Sequence, residues 1–280
     1  MLNQKLLFQR NRKNILSPSA WTVEINTFEQ AWIECRIAEC VSPIRPRNYQ
    51  ELYDAFRIQL DVERTEYDNA SSAYVESSMP LHEFKILVGE FALDGLTEAQ
   101  VFYNIFPKLP LAAQMPLLRI MVDEFGSGNQ KYAHTTLYIN LLHELGMPDT
   151  YEDYLPIVSD SSLEFVNLFY WLCIRANDPS WFVGALTYLE TIIPDAFDCF
   201  AKACGRLNIS SHAYYTEHQH IDFYHAQDSL RILKEMDAAK ALNYESAFKG
   251  MLLASLITNR AFDGAVNVAR MKSQIRETVS

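Results

Sequence analysis

The sequence has little of what marks membrane, secreted and β-rich proteins. No apolar run approaches the roughly 20 residues that cross a bilayer. Residues 1–18 lack the continuous apolar stretch and small-residue cleavage site of a secretory signal. Glycine is scarce, at 9 of 280 residues, and strand-like alternation of apolar and polar residues is always short. We therefore expect a cytoplasmic protein without a membrane span and with little β-structure.

Cysteines and basic residues are also few. The cysteines are odd in number and form no C-x-x-C pair, which predicts reduced thiols rather than disulfides or a thiolate zinc site; they are Cys35, Cys40, Cys173, Cys199 and Cys204. The 24 Lys and Arg are outnumbered by 35 Asp and Glu, giving a formal charge of -11. Such a chain has no overall basic field, so we expect neither nucleic-acid nor membrane-surface binding.

Apolar residues recur at helical spacing along almost the whole chain. The pattern predicts an all-α fold with a single helical domain over residues 27–280, preceded by an N-terminal arm of irregular structure over residues 1–26. Two helix starts carry local capping signals, Thr97 for one helix and Ser161, with Glu164 as its capping-box partner, for another. The expected helices cover 28–40, 49–67, 81–93, 111–125, 132–145, 161–176, 181–203, 212–240 and 244–257, with a last helix after residue 259.

One predicted helix is rich in histidine, and the angular spacing of its residues matters more than their number. On a helix His218, Asp222 and His225 fall at about 0°, 40° and -20°, on one face. His220 falls near 200°, on the opposite face. Two imidazoles and a carboxylate within two turns predict a site for a divalent metal such as iron, manganese or zinc.

Two further segments can complete such a site. Glu190 lies in an almost wholly apolar stretch, where a carboxylate is costly unless it is paired or bound to a metal. Glu124 and His134 would be about 80° apart on a regular helix, but the Gly-Ser-Gly run between them permits a turn that aims both at one point. Three histidines and three carboxylates are the ligand count of a dinuclear iron site in a helical scaffold. They are Glu124, His134, Glu190, His218, Asp222 and His225.

In their order and spacing these motifs resemble the haem-oxygenase-like non-haem diiron oxidases. The resemblance rests on the Asp-Glu-Phe-Gly-Ser-Gly run with its following His134 and Tyr138, on Glu190 with Pro194, and on the H-x3-D-x2-H helix. It covers roughly residues 80–235 and implies a haem-oxygenase-like bundle of about seven core helices, with the six residues above as ligands of two irons. Some family members use one more glutamate, for which Glu98 and Glu90 are both candidates. The first histidine, His82, has no haem-ligand motif around it, so we expect no haem.

The resemblance implies an enzyme that activates O2 at two iron ions. We favour N-oxygenation of an amino-acid-derived amine in natural-product biosynthesis, with a small amino-acid-like substrate. The first alternative is an oxidative decarboxylase, desaturase or lyase that cleaves a C–C bond of an aliphatic or amino acid. The second is a non-catalytic helical scaffold. An external electron donor and a homodimer are both compatible with this interpretation.

Overall fold

The computed structural model describes residues 2–17, 21–66 and 70–279, with side chains throughout except at 16, 66, 222 and 275–279. The described residues form α-helices joined by short 3-10 turns and contain no strand, so the all-α prediction is confirmed. The helices are α1 (Gln4–Leu16), α2 (Val23–Glu39), α3 (Tyr49–Glu66), α4 (Ala70–Ser77), α5 (Leu81–Glu90), α6 (Ala92–Gly95), α7 (Leu111–Glu124), α8 (His134–Glu144), α9 (Tyr151–Tyr154), α10 (Asp160–Tyr170), α11 (Ser180–Arg206), α12 (Ala213–Ala238) and α13 (Tyr244–Val279). None of them combines the length and apolarity that crossing a bilayer requires.

Helix α11 lies at the centre of the bundle. It packs along α12 on one side and α13 on the other, while α7 packs against α12 and α10 packs against α13. The stretch from Phe182 to Glu190 is buried on every face, as expected for an apolar helix surrounded by others. Helices α7, α11 and α12 therefore lie next to one another, and they carry Glu124, Glu190 and the histidine-rich segment.

Two predicted helix starts are wrong. The N-cap of α10 is Ser159 rather than Ser161, since the Ser159 side chain accepts a hydrogen bond from the Ser162 amide. Thr97 caps no helix; its hydroxyl donates to the carbonyl of Leu93, 2.6 Å away, within the preceding turn. At the start of α10 three serines lie close together, Ser159, Ser161 and Ser162, and the sequence does not say which one adopts the extended backbone that a cap requires.

The predicted break at Asn259 is also wrong, because α13 runs without interruption from Tyr244 to Val279. Ile257 and Ala261 are both buried, so packing on either side of Asn259 outweighs its weak helix propensity. Pro194 likewise lies inside α11 without ending it.

The segment predicted as an irregular arm contains α1, so this part of it is helical. Leu7 and Phe8 are fully buried. Asn11 donates to the side chain of Asn167 on α10 at 3.0 Å, and Asn167 donates to the Gln4 carbonyl at 2.9 Å. The division of the chain at residue 27 stays a prediction.

Candidate metal centre

A left-handed turn brings Glu124 and His134 together. Helix α7 ends at Glu124 and α8 begins at His134. Between them Gly126, Ser127 and Gly128 have φ angles of 61°, 53° and 81°, three successive residues in a region that L-residues rarely adopt. As a result, Nδ1 of His134 lies 2.8 Å from Oε2 of Glu124.

The histidine-rich helix α12 turns two of its histidines inward. His218 and His225 are 3% and 1% exposed, whereas His220 lies on the exposed face. Nδ1 of His218 contacts the Tyr214 carbonyl at 2.6 Å, which orients the ring. The side chain of Asp222 lies outside the described part of the structure, and only its position on α12 between the two inward histidines is known.

Glu190 reaches the same interior from α11. It is buried, and its Oε2 lies 3.3 Å from Nδ1 of His225. The same nitrogen lies 3.7 Å from Oε1 of Glu124. The two oxygens of Glu124 thus face different groups, Oε2 towards His134 and Oε1 towards His225.

The structure distinguishes the two remaining glutamates. Glu98 lies beside the cluster, with Oε1 3.2 Å from Nε2 of His218. Glu90 instead accepts hydrogen bonds from the Ser159 amide and the Ser162 hydroxyl, at 2.9 and 2.8 Å, and so holds the start of α10. The four ligand atoms offered by Glu98, Glu124, His134 and His218 all lie within 4.8 Å of one another.

Asp94 is a residue of this site that sequence reasoning missed. In the sequence, Asp94-Gly95 is typical of a helix end, and no motif marks it as functional. In the structure it lines the same cavity as Glu98. Burial raises its pKa well above the ordinary value, the charge of Glu98 raises it further, and His218 lowers it in part.

The net shift in the pKa of Glu124 is in the other direction from that of Asp94. Burial alone would raise the pKa of this carboxyl, but His134, His218 and His225 together outweigh burial and lower it to about 2. Glu124 is therefore held in its charged form, which is the form that binds a cation.

Two cavities meet at this cluster. The smaller, about 80 Å³, is lined by Glu98, Glu124, Glu190 and His218. The larger, about 350 Å³, is lined by Asp94 and Glu98 and also by Glu63, which the smaller cavity lacks. Five residues line both cavities and form what we call the shared wall: Asp94, Glu98, Phe165, Leu189 and Ile193.

The residues fit an iron site. Imidazole nitrogens and carboxylate oxygens, without thiolates, are the donor set of non-haem iron. Oε2 of Glu98 is buried and has no hydrogen-bond partner among the described residues. Nδ1 of His134 also lacks a hydrogen bond there despite its short distance to Glu124, because the two groups are not aligned for one. Ligand atoms that approach closely without bonding to each other are expected where a cation belongs between them.

Comparison with known proteins identifies the class. The family model described as iron-containing redox enzyme matches residues 85–257, more than half of the chain, and the chain belongs to this family. Its haem-oxygenase-like fold is thereby confirmed, and it is an iron-containing redox enzyme.

A curated relative adds a more particular similarity. Nitrosourea synthase of Streptomyces achromogenes subsp. streptozoticus is 28% identical to this chain over 144 residues. The match covers 49% of this chain and 30% of the synthase, so the chain corresponds to under a third of that protein.

Proposed function

We propose that this protein binds two ferrous ions and uses O2 to oxygenate the nitrogen of an amino-acid-derived amine in natural-product biosynthesis. The observation that carries the dinuclear part is the arrangement of Glu124, whose two carboxylate oxygens face two separate sets of ligands. A carboxylate in this position can bridge two cations.

The ligand sets divide around Glu124. Glu98, His134 and His218, whose ligand atoms lie close together, would hold one iron, and Glu190 and His225, which contact each other, would hold the other. Asp222 joins them by the family resemblance and by its position on α12. The four carboxylates of this set match the four positive charges of two ferrous ions, and the three imidazoles add neutral donors.

Two ferrous ions at such a site supply electrons to dioxygen. The protein contributes position, charge and a dry interior. The Tyr214 hydroxyl, 3.2 Å from Oε1 of Glu98, and the Tyr214 carbonyl on Nδ1 of His218 fix two ligands in place. Inserting one oxygen atom of O2 into an N–H bond, with the other released as water, requires two protons and two electrons besides those that the substrate gives up. The two ferrous ions would supply these two electrons once, so repeated turnover requires an external electron donor that reduces the iron again.

The choice of an amine is supported by the charge of the large cavity. Its wall carries four carboxyl groups and one basic residue: Glu63, Asp94, Glu98, Asp195 and Arg64. Burial raises the pKa of Asp94, Glu98 belongs to the proposed iron ligands, and Asp195 is paired with Arg64. Glu63 is left without an ion pair among the described residues, and its charge favours a cationic ligand. The relative, by its name, makes a nitrosourea, a compound that contains an oxidised nitrogen.

A second candidate is oxidative cleavage of a C–C bond. It is favoured by the apolar part of the same cavity, where five phenylalanines suit an aliphatic chain as well as an amine: Phe91, Phe165, Phe197, Phe200 and Phe262. Mass spectrometry of the product after a single turnover separates the two, because N-oxygenation adds oxygen and oxidative decarboxylation releases CO2.

The test begins with iron. Anaerobic titration with Fe(II) should saturate at two ions per chain, and admitting O2 should then give a transient visible absorption. Glu98→Gln should lose tight binding of one ion. Glu90→Gln is the matched control, because Glu90 is a buried glutamate from the neighbouring part of the chain that accepts hydrogen bonds from serine residues instead, and this variant should still bind two ions. Saturation at one ion or none, or equal loss in both variants, would contradict the dinuclear proposal.

A further inference from the structure

Glu63 lies in the wall of the large cavity and is held there by neutral groups. Its Oε1 accepts hydrogen bonds from the Ser255 hydroxyl at 2.5 Å and from the Gln59 side chain at 3.1 Å. Its Oε2 accepts one from the Tyr188 hydroxyl at 2.9 Å. These three donors come from α3, α11 and α13, so the carboxylate is fixed by three helices.

No cation among the described residues forms an ion pair with Glu63. The basic residue in the cavity wall, Arg64, is instead engaged by Asp195, with Nη2 and Oδ2 3.1 Å apart. A carboxylate held by neutral donors beside apolar side chains has lost much of its hydration without gaining a counter-charge. A cation entering the cavity would supply that charge.

We propose that Glu63 binds a cationic group of the substrate, and that an apolar segment separates this group from the atom that reacts. The inference deepens the proposed function and, for the reacting end, rests on it. Asp94 and Glu98 line both cavities, whereas Glu63 lines only the larger one and is not part of the wall around the proposed iron ligands. The substrate class is therefore an amine or amino acid with a charged nitrogen that binds to Glu63. A different atom of the substrate reacts at the iron site.

The walls fit the apolar segment. Leu189, Ile192 and Ile193 of α11 line the cavity together with its phenylalanines. At about 350 Å³ the cavity is near the small end of the range for ligand sites, which suits a metabolite of amino-acid size.

The test uses two probes with the same carbon skeleton, the cationic 3-phenylpropylamine and the neutral 3-phenyl-1-propanol. Their dissociation constants are measured by calorimetry on the full chain, anaerobically, with and without Fe(II). The wild-type protein should bind the amine at least tenfold more tightly than the alcohol, which corresponds to about 1.4 kcal/mol. In Glu63→Gln this preference should fall below about threefold.

Two controls localise the effect. Asp94→Asn removes a carboxyl from the shared wall and should keep most of the preference for the amine. Glu83 is a buried glutamate that also accepts a hydrogen bond from a tyrosine hydroxyl, that of Tyr74 at 2.7 Å, but it does not line the cavity. Glu83→Gln should therefore keep the whole preference for the amine. Glu63→Leu removes the charge in a second way if the glutamine variant does not fold.

Equal affinity for amine and alcohol in the wild-type protein would overturn the proposal, as would an unchanged preference in the folded Glu63 variants. The iron titration of the same samples is a separate readout. A chain that binds no second iron but loses its amine preference with Glu63 would refute the dinuclear function and leave this inference standing. A chain that binds two irons but shows no preference for the amine would refute this inference and leave the dinuclear function standing.

Discussion

Replacing Gly126 by alanine should disrupt the metal centre from outside it. Gly126 has φ 61°, and a Cβ there would lie 2.5 Å from both the Ala133 nitrogen and the Tyr132 carbonyl carbon. These are backbone atoms at the start of α8, which cannot turn away as a side chain can. The backbone must therefore shift, and His134, the residue that follows, shifts with it.

Gly128→Ala is the matched comparison. Gly128 has φ 81°, but a Cβ there meets nothing within 4 Å. The left-handed backbone alone costs an L-residue about 1–2 kcal/mol, so Gly128→Ala should lower the free energy of unfolding by about that amount. Gly126→Ala carries the same backbone cost and in addition the clash of its Cβ with the backbone of Tyr132 and Ala133. It should therefore lower the free energy of unfolding by clearly more than Gly128→Ala does.

The decisive assay is ferrous iron binding, measured anaerobically on both variants, with urea unfolding of the metal-free proteins alongside. We expect Gly126→Ala to weaken iron binding by about 10–100-fold, the usual effect of misorienting a ligand. Gly128→Ala should leave iron affinity within about threefold of wild type. Wild-type iron affinity in a folded Gly126→Ala protein would refute the argument that this turn positions His134 against Glu124.

Three further predictions concern single side chains. His225→Ala should abolish iron-dependent O2 consumption and His220→Ala should not, since only the former faces the cluster; equal losses would contradict the assignment of the α12 faces. Tyr138→Phe removes a buried hydroxyl that donates to a backbone carbonyl at 2.6 Å, and urea unfolding should register a loss of about 1 kcal/mol. Burial raises the pKa of the Cys173 thiol well above its usual value, so thiolate is scarce at neutral pH. Peptide mapping after brief alkylation should find the exposed Cys35 modified and the buried Cys173 intact. Modification of Cys173 with Cys35 left intact would contradict this prediction.

The part of the site that follows helical geometry could be predicted from sequence. The spacing of His218 and His225 defines one face of a regular helix, and the structure turns both inward and leaves His220 outside. Glu190 stood out because a lone carboxylate in an apolar helix needs a partner, and it contacts His225. For Asp222 the prediction stays open, because its side chain is not described.

Glu98 and Asp94 could not be derived in the same way. Both belong to the segment around the short helix α6 and the 3-10 turns after it, where no regular period fixes the direction of a side chain. Glu90, the competing candidate, lies on a regular helix and is used for capping α10 instead. The choice between the two glutamates depends on contacts with residues more than 60 positions away, which one sequence does not specify.

The shared wall limits how the specificity of this protein can change. A substitution at Phe165 or Ile193 alters the space around the iron ligands and the space for the substrate at once. Phe262 and Ile192 border only the larger space, so a new guest can be accommodated there while the oxygen chemistry is left intact. Divergence to new substrates, in nature or in the laboratory, is therefore expected to accumulate at residues that line only the larger cavity.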